Sequence, residues 1–332
     1  MIYVKSPLRI SMGGGGTDLP WWYSKHKGYV ISFAIDKYVH LIGSKRVFDE
    51  KIWLSYSKTE ICEKIDEIKN EIFKASLKYK EVKKGIEIHT ISDVPGNSGL
   101  GSSGAFTSAL IYFLDLIKKN KITRKNIAST ACKIEMNFLK KNSGIQDQYI
   151  SVFGGLKEIF VSKNGKVKIK NLKIRKKNIK KLEESLMLVY TNQTRQSEQI
   201  LSSLKKEFKI NNKIKTQLMK KIHNIGVRSK KFLQDANIEK LGKLFDEHWE
   251  VKKGLSPLMT NSKIDNIYQL AKKNGAEGGK LIGAGGGGYL LFFVKKKNRS
   301  QLLKFLKTKN FEKLDFKFDN FGTRQIVDKS ET

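Results

Sequence analysis

An α+β fold in two domains is what this sequence predicts, on three observations. β-type segments come in a run near the beginning and helical patterns in a run later, without the strand–helix alternation of a doubly wound sheet. A chain of 332 residues with 39% hydrophobic and 10% aromatic content can bury more than one core. The pattern then returns to strand, glycine turn and strand over Gly278 to Val294.

Taken in order, Tyr3 to Met12, Tyr29 to Asp36, Val39 to Phe48 and Ile52 to Tyr56 carry β-branched and aromatic residues and read as strands. Thr59 to Lys80 reads as a helix and Gly85 to Ile91 as a strand. A glycine-rich loop, Pro95 to Gly101, leads into apolar helices over Ser103 to Ile117 and Ile122 to Lys141, the second with Thr123 as N-cap. Strands follow between Leu156 and Ile174, and Leu186 to Thr191 reads as a buried strand; helical patterns then run to Asn274. The change places a boundary at residue 180, giving domains 1–180 and 181–332. Past Val294 a helix and one or two short strands are expected.

Several classes of function are set aside by composition. The longest apolar candidate for a span, Tyr289 to Val294, is far shorter than the roughly 18 residues a membrane helix needs, so no membrane association is expected. Met1 to Met12 alternates like a strand and lacks the features of a secretory signal. Cys62 and Cys132 suggest neither a disulfide framework nor a metal knot, which fits buried thiols in a reducing cytoplasm. The formal charge of +33 invites a nucleic-acid reading. Only eight of the 65 basic residues are arginines, however, and the lysines are spread along the chain. The densest run, Lys163 to Lys181, alternates around Val167, Ile169, Leu172 and Ile174 like a strand with a solvated face. Nucleic acid is therefore not the expected partner. A field of this sign suits small anionic, phosphorylated substrates, and the chain is expected to act as a monomer or homodimer.

The loop Val94-Pro95-Gly96-Asn97-Ser98-Gly99-Leu100-Gly101-Ser102-Ser103-Gly104 lies between a predicted strand and a predicted helix. Glycines let backbone N–H groups turn inward, and the free amides and dipole of a helix start favour a polyphosphate. Gly96, Ser98, Gly99, Leu100, Gly101, Ser102 and Ser103 are the phosphate-binding candidates. The loop is neither a P-loop nor a dinucleotide fingerprint. Ser102 stands where Walker A needs Lys, and nothing acidic lies between Asp115 and Glu135. Two more glycine clusters, Gly13 to Gly16 and Gly283 to Gly288, flank the chain's two ends.

In their order and spacing, Pro7-Leu8-Arg9-Ile10 with Gly13 to Asp18, then Pro95 to Gly104, then Lys280 to Gly288 resemble the three motifs of the GHMP-type small-molecule kinases. That family includes galactokinase, homoserine kinase and mevalonate kinase. The resemblance spans nearly the whole chain. It implies a first domain like the second domain of ribosomal protein S5, a ferredoxin-like second domain, and an active site between them that uses ATP and Mg²⁺. It draws attention to Asp147 in Gly144-Ile145-Gln146-Asp147-Gln148 as the group facing the acceptor hydroxyl, where a carboxylate can take or orient its proton. Arg9 holds the cationic position of the first motif and is expected to be catalytic, or to pair with Asp147. Ser103, with Ser102 as alternative, and Glu135 would ligate Mg²⁺ through oxygen.

The usual first motif continues into Gly-Glu-His, whereas this chain reads Gly16-Thr17-Asp18-Leu19-Pro20. That departure resembles the branch acting on heptose 7-phosphates at the anomeric oxygen, with fucose-kinase-like relatives, and so implies a sugar phosphate substrate. Gly16, Thr17, Asp18, Gly285 and Gly286 are then expected to contact sugar, and Thr191 and Arg195 the phosphate it already carries. An unphosphorylated sugar as acceptor is the alternative; a basic nucleic-acid-binding protein without catalysis is the non-enzyme reading. Trp21 and Trp22 fit a core better than a sugar platform. No histidine shows metal-ligand spacing or a triad, and none is assigned.

Overall fold

One 18-residue strand organises the first half of the molecule. The structure, a computed structural model, describes residues 1–194 and 197–327. In chain order, β1 (Ile2–Gly13), α1 (Pro20–His26), β2 (Gly28–Lys45), β3 (Ile52–Ser55), β4 (Thr59–Cys62), α2 (Glu71–Tyr79) and β5 (Ile86–Ser92) come first. The next elements are α3 (Ser102–Ile117), α4 (Arg124–Lys133), α5 (Gln146–Phe153), β6 (Leu156–Val161) and β7 (Val167–Asn171). The second half contains α6 (Lys176–Ser185), β8 (Leu186–Tyr190), α7 (Ser197–Ile210), α8 (Asn212–Gln234), α9 (Lys240–Lys253) and α10 (Ser262–Lys273). It finishes with β9 (Ala276–Leu281), β10 (Tyr289–Val294), α11 (Lys296–Thr308), β11 (Lys313–Leu314) and β12 (Arg324–Ile326).

The expected pair of strands at Tyr29 to Asp36 and Val39 to Phe48 is a single strand, β2. A register shift opposite Pro7 and Leu8, where Pro7 meets Tyr38 but Leu8 meets Ile35, absorbs the extra residues Asp36 and Lys37. Because β2 is so long, two strands share its far edge. Its first part pairs with β6 and its second part with β5. The first sheet runs β12-β1-β2-β5-β3-β4, with β6 and β7 branching from β2. Helices α3 and α5 pack on β1 and β2. The second sheet runs β11-β8-β10-β9 and is wholly antiparallel. The α+β class is therefore observed.

Three sequence expectations are corrected. Thr59 to Lys80 is not one helix: Thr59–Cys62 pairs with β3, and α2 starts only where the Asn70 side chain accepts from the N–H groups of Ile72 and Phe73. Ile122 to Lys141 breaks at Lys133 and continues as a π-helical turn, Ile134–Phe138. Beyond β7, the lysine-rich run becomes helix α6 instead of strand. The chain end also returns to the first sheet through β12 and a bridge between Ile35 and Phe318. One core joins the units, since Leu8, Ile10 and Ile31 of the first sheet cluster with Ile225, Phe245 and Leu291 of the second unit. Cys62 and Cys132 are buried and unbridged, and Trp22 packs in an apolar cluster with Leu204, Met219 and Met259. Among the described residues no helix is long and apolar enough to cross a membrane.

Asp319 fastens the returning segment. Its carboxylate accepts from the N–H groups of Phe321 and Gly322, from the Tyr38 hydroxyl and from Arg324 Nη1, all within 3.0 Å. The residue is 4% exposed, so Asp319→Ala strands several buried donors. Urea unfolding is expected to show a loss of about 2–4 kcal/mol. An unchanged midpoint would mean that the strap contributes nothing.

Candidate active site

A cleft of about 450 Å³ is lined from both units. Its floor includes the start of α3. Gly101, the residue before the helix, adopts a left-handed backbone (φ 80°) and supplies no side-chain cap, so the first N–H groups of α3 point toward the cleft without a capping partner. Asn97, Gly99, Gly101, Ser102 and Ser103 line the cleft. Ser98 and Leu100 are fully buried and hold the loop instead: Ser98 O accepts from Tyr289 N (3.2 Å) and Leu100 O from Arg9 N (2.9 Å). Gly96 is exposed and does not reach the lining. The third glycine cluster braces this loop, since a Cβ on Gly288 would lie 2.1 Å from Ser98 O.

Asp147 sits in the first turn of α5, a helix that the sequence pattern did not reveal. Gly104 of α3 permits the approach, because a side chain there would meet Asp147 Cβ at 2.6 Å. Arg9 grips the carboxylate from β1 with Nε to Oδ1 (2.7 Å) and Nη2 to Oδ2 (3.0 Å). Its third nitrogen, Nη1, donates to Gly99 O at 2.5 Å. One guanidinium thus connects the carboxylate to the glycine loop. The Arg9 side chain is 5% exposed and that of Asp147 27%, so the carboxylate keeps a face toward the cleft.

Glu135 lies in the π-helical turn after α4, which turns its side chain inward. It is 3% exposed and lines the cleft. Ser103 Oγ donates to its Oε2 and Gln148 Nε2 to its Oε1, both at 2.9 Å. Burial pushes the carboxyl up from its ordinary range, and the hydrogen bonds from Gln148 and Ser103 offset part of that. Ser103, not Ser102, makes the contact. Among the described residues no group of three or more His, Cys, Asp or Glu could cage a metal. A hydroxyl and a carboxylate are nevertheless hard oxygen donors of the kind a cation takes when phosphates and water complete its shell.

The first glycine cluster forms another wall. Asp18 is 1% exposed; its Oδ1 accepts from Gly16 N and its Oδ2 from Gln146 N, each at 3.0 Å. It therefore fastens the start of α5 to the loop after β1. Burial raises its pKa, and the backbone bond from Gln146 opposes the rise. Gly16 and Asp18 line the cleft. Thr17 does not: its hydroxyl donates to Gly14 O and Tyr29 O and accepts from Tyr29 N, so it is consumed inside the fold. Thr191 is likewise spent, with Oγ1 on Gly288 O at 2.8 Å. Gly285 and Gly286 pack against Met259, leaving Gly283 and Ala284 on the cleft. Arg195 lies outside the described residues.

Sequence reasoning missed two side chains on the wall from the second unit. Lys280 of β9 and His248 of α9 both line the cleft while 2% and 3% exposed. Lys280 Nζ lies 3.0 Å from Met12 O and 3.0 Å from His248 Nδ1. A signal existed for His248. It continues the apolar stripe Leu241, Leu244, Phe245 at helical spacing, an odd place for a histidine that merely faces solvent.

Known proteins share this chain's sequence pattern and fold. The family described as "GHMP kinases N terminal domain" matches residues 65–155 and "GHMP kinases C terminal" matches 229–313. The chain is similar to the D-glycero-alpha-D-manno-heptose 7-phosphate kinase of Campylobacter jejuni subsp. jejuni serotype O:2, at 31% identity over 97% of this chain and 98% of the relative. Among solved structures it resembles a D-glycero-D-manno-heptose 1-phosphate kinase from Bacteriodes thetaiotaomicron (TM-score 0.81, 20% identity, 99% of both chains). It also resembles the Lactococcus lactis galactokinase complexed with galactose (TM-score 0.74, 21% identity, 98% and 94% covered). At those identities the two structures speak to the fold alone.

The brace beneath the glycine loop is testable by Gly288→Ala. Both the clash with Ser98 O and the backbone φ of +98° oppose a side chain. A stability loss on the order of 3 kcal/mol is expected in thermal or urea unfolding. A variant as stable as wild type would show that the two glycine segments are not in forced contact.

Proposed function

Since this chain belongs to the GHMP kinase family, we propose that it transfers the γ-phosphoryl group of ATP to the anomeric O1 of D-glycero-α-D-manno-heptose 7-phosphate. The product would be the α-1,7-bisphosphate, with ADP released. The observation that carries the reading is Arg9, whose guanidinium binds the Asp147 carboxylate and the Gly99 carbonyl together, so that a proton acceptor and a phosphate loop face one cleft. The acceptor itself is inferred from the similarity to the Campylobacter heptose 7-phosphate kinase over nearly the whole chain.

In this reading the amides at the start of α3 bind the triphosphate, with Asn97, Gly99 and Ser102 around it. Each Asp147 oxygen spends one lone pair on Arg9 and keeps another for the acceptor hydroxyl. As O1 attacks the γ-phosphorus, the bond to the ADP oxygen breaks and the O1 proton passes to Asp147. An anomeric hydroxyl is more acidic than an ordinary alcohol, so Asp147 need not be a strong base. Arg9 keeps that carboxylate oriented and adds positive charge near the transferred group. Mg²⁺ would supply neutralisation of the β- and γ-phosphate oxygens, and Ser103 and Glu135 are the residues suited to hold it. Gly15 and Gly16 keep the adjoining wall low for a branched sugar, and Asp18 fixes that wall's shape. We place the reaction in the cytoplasm, where ATP and reduced thiols are found.

Phosphorus NMR of a reaction with Mg-ATP and heptose 7-phosphate is expected to show a new phosphate on the anomeric oxygen. Asp147→Asn, which keeps the side chain's shape, is expected to lower kcat by about 10²–10⁴-fold while nucleotide affinity stays within a few-fold. Full turnover by that variant would remove Asp147 as the base. Preference for fucose or galactose over the phosphorylated heptose would move the acceptor to the unphosphorylated class.

A further inference from the structure

Lys280 and His248 present an electrostatic problem that the protein alone does not solve. Among the described residues no carboxylate forms a salt bridge with either, although both are at least nine-tenths buried. Burial pulls each below its ordinary pKa, Lys280 further through Lys252 and Arg9, and His248 further through Lys280 and Lys252. The compensation is slight: a backbone carbonyl of β1 and the face of Phe245, 5.4 Å from the ammonium. A buried ammonium is costly unless something supplies negative charge. Both side chains border the cleft, so that charge can come from a ligand.

We propose that Lys280 and His248 form a second phosphate subsite, built on the second unit's wall, that takes a phosphomonoester dianion. An ammonium can only donate, so His248 Nδ1 accepts from Lys280 and the ring's proton sits on Nε2. Two of the three ammonium protons are spent, on Met12 O and His248. The third, together with His248 Nε2–H, provides the donors for phosphate oxygens. Beside them Lys252 is held to the carbonyls of Leu281 and Gly283, which adds charge to the same wall. A dianion suits two neighbouring ammonium groups and an imidazole N–H better than a monoanionic carboxylate does.

The phosphate can be the one the acceptor already carries or the one in transfer. The first source rests on the acceptor proposed above; the subsite itself does not. We favour the acceptor's phosphate. Arg9, Asp147 and the start of α3 already serve the transferred group, while Thr191, expected to hold the other, is bonded to Gly288.

The test titrates inorganic phosphate calorimetrically into magnesium-free protein, alone and saturated with a non-hydrolysable ATP analogue. Wild type, Lys280→Met and His248→Asn are compared, the last keeping an acceptor for Lys280 but lacking the outer donor. Circular dichroism and unfolding midpoints check that each variant folds. Binding to the analogue-loaded wild type that falls at least tenfold in both variants supports the subsite and assigns it to the acceptor's phosphate. Binding that the analogue blocks in wild type, and that both variants lose without it, supports the subsite and assigns it to the transferred group. Equal phosphate binding by wild type and folded His248→Asn overturns the proposal, whichever sugar the enzyme phosphorylates.

Discussion

The arrangement depends on where the three nitrogens of the Arg9 guanidinium point. Two close on Asp147 and the third on Gly99 O, while the backbone N–H of the same residue binds Leu100 O. A strand of the first sheet, the start of α5 and the phosphate loop are thereby fixed to one planar group. Lysine has no such fork and could not hold all three. The supporting contacts come from absent side chains: Gly104 admits Asp147 to the face of α3, and Gly288 lets the third glycine cluster lie against Ser98. The chemistry proposed for the cleft needs a carboxylate and a phosphate loop in constant register, and this is the contact that keeps them so.

Groups of like charge adjoin on each side of the cleft. Asp147, Asp18 and Glu135 come from the first unit, and the Asp147 charge adds to the upward pKa shifts of the other two. Lys280, His248 and Lys252 come from the second, and the Lys252 charge adds to the downward pKa shifts of Lys280 and His248. A metal with a polyphosphate would complement the first group, and a phosphorylated acceptor the second.

Much of this was legible in the sequence, because glycine spacing and strand–loop–helix order are local properties. The pattern located the loop over α3, Arg9, Asp147, Ser103 and Glu135, and the structure brings these together. It erred where identical residue types serve the interior. Thr17 and Thr191 look like ligand hydroxyls, yet each donates its hydroxyl to the glycine carbonyl that its own N–H already binds. Thr59 to Lys80 has helical composition throughout, but partnering with β3 overrides propensity at its first four residues. Lys280 and His248 escaped because burial of a basic side chain depends on packing between elements more than thirty residues apart in sequence.

A crystal complex with Mg²⁺, a non-hydrolysable ATP analogue and heptose 7-phosphate tests the central claim most directly. The terminal phosphate is expected at the start of α3, with O1 within hydrogen-bond reach, about 2.6–3.2 Å, of an Asp147 oxygen still gripped by Arg9. A nucleotide seated elsewhere, or Asp147 out of reach of the acceptor with Arg9 turned away, would contradict it.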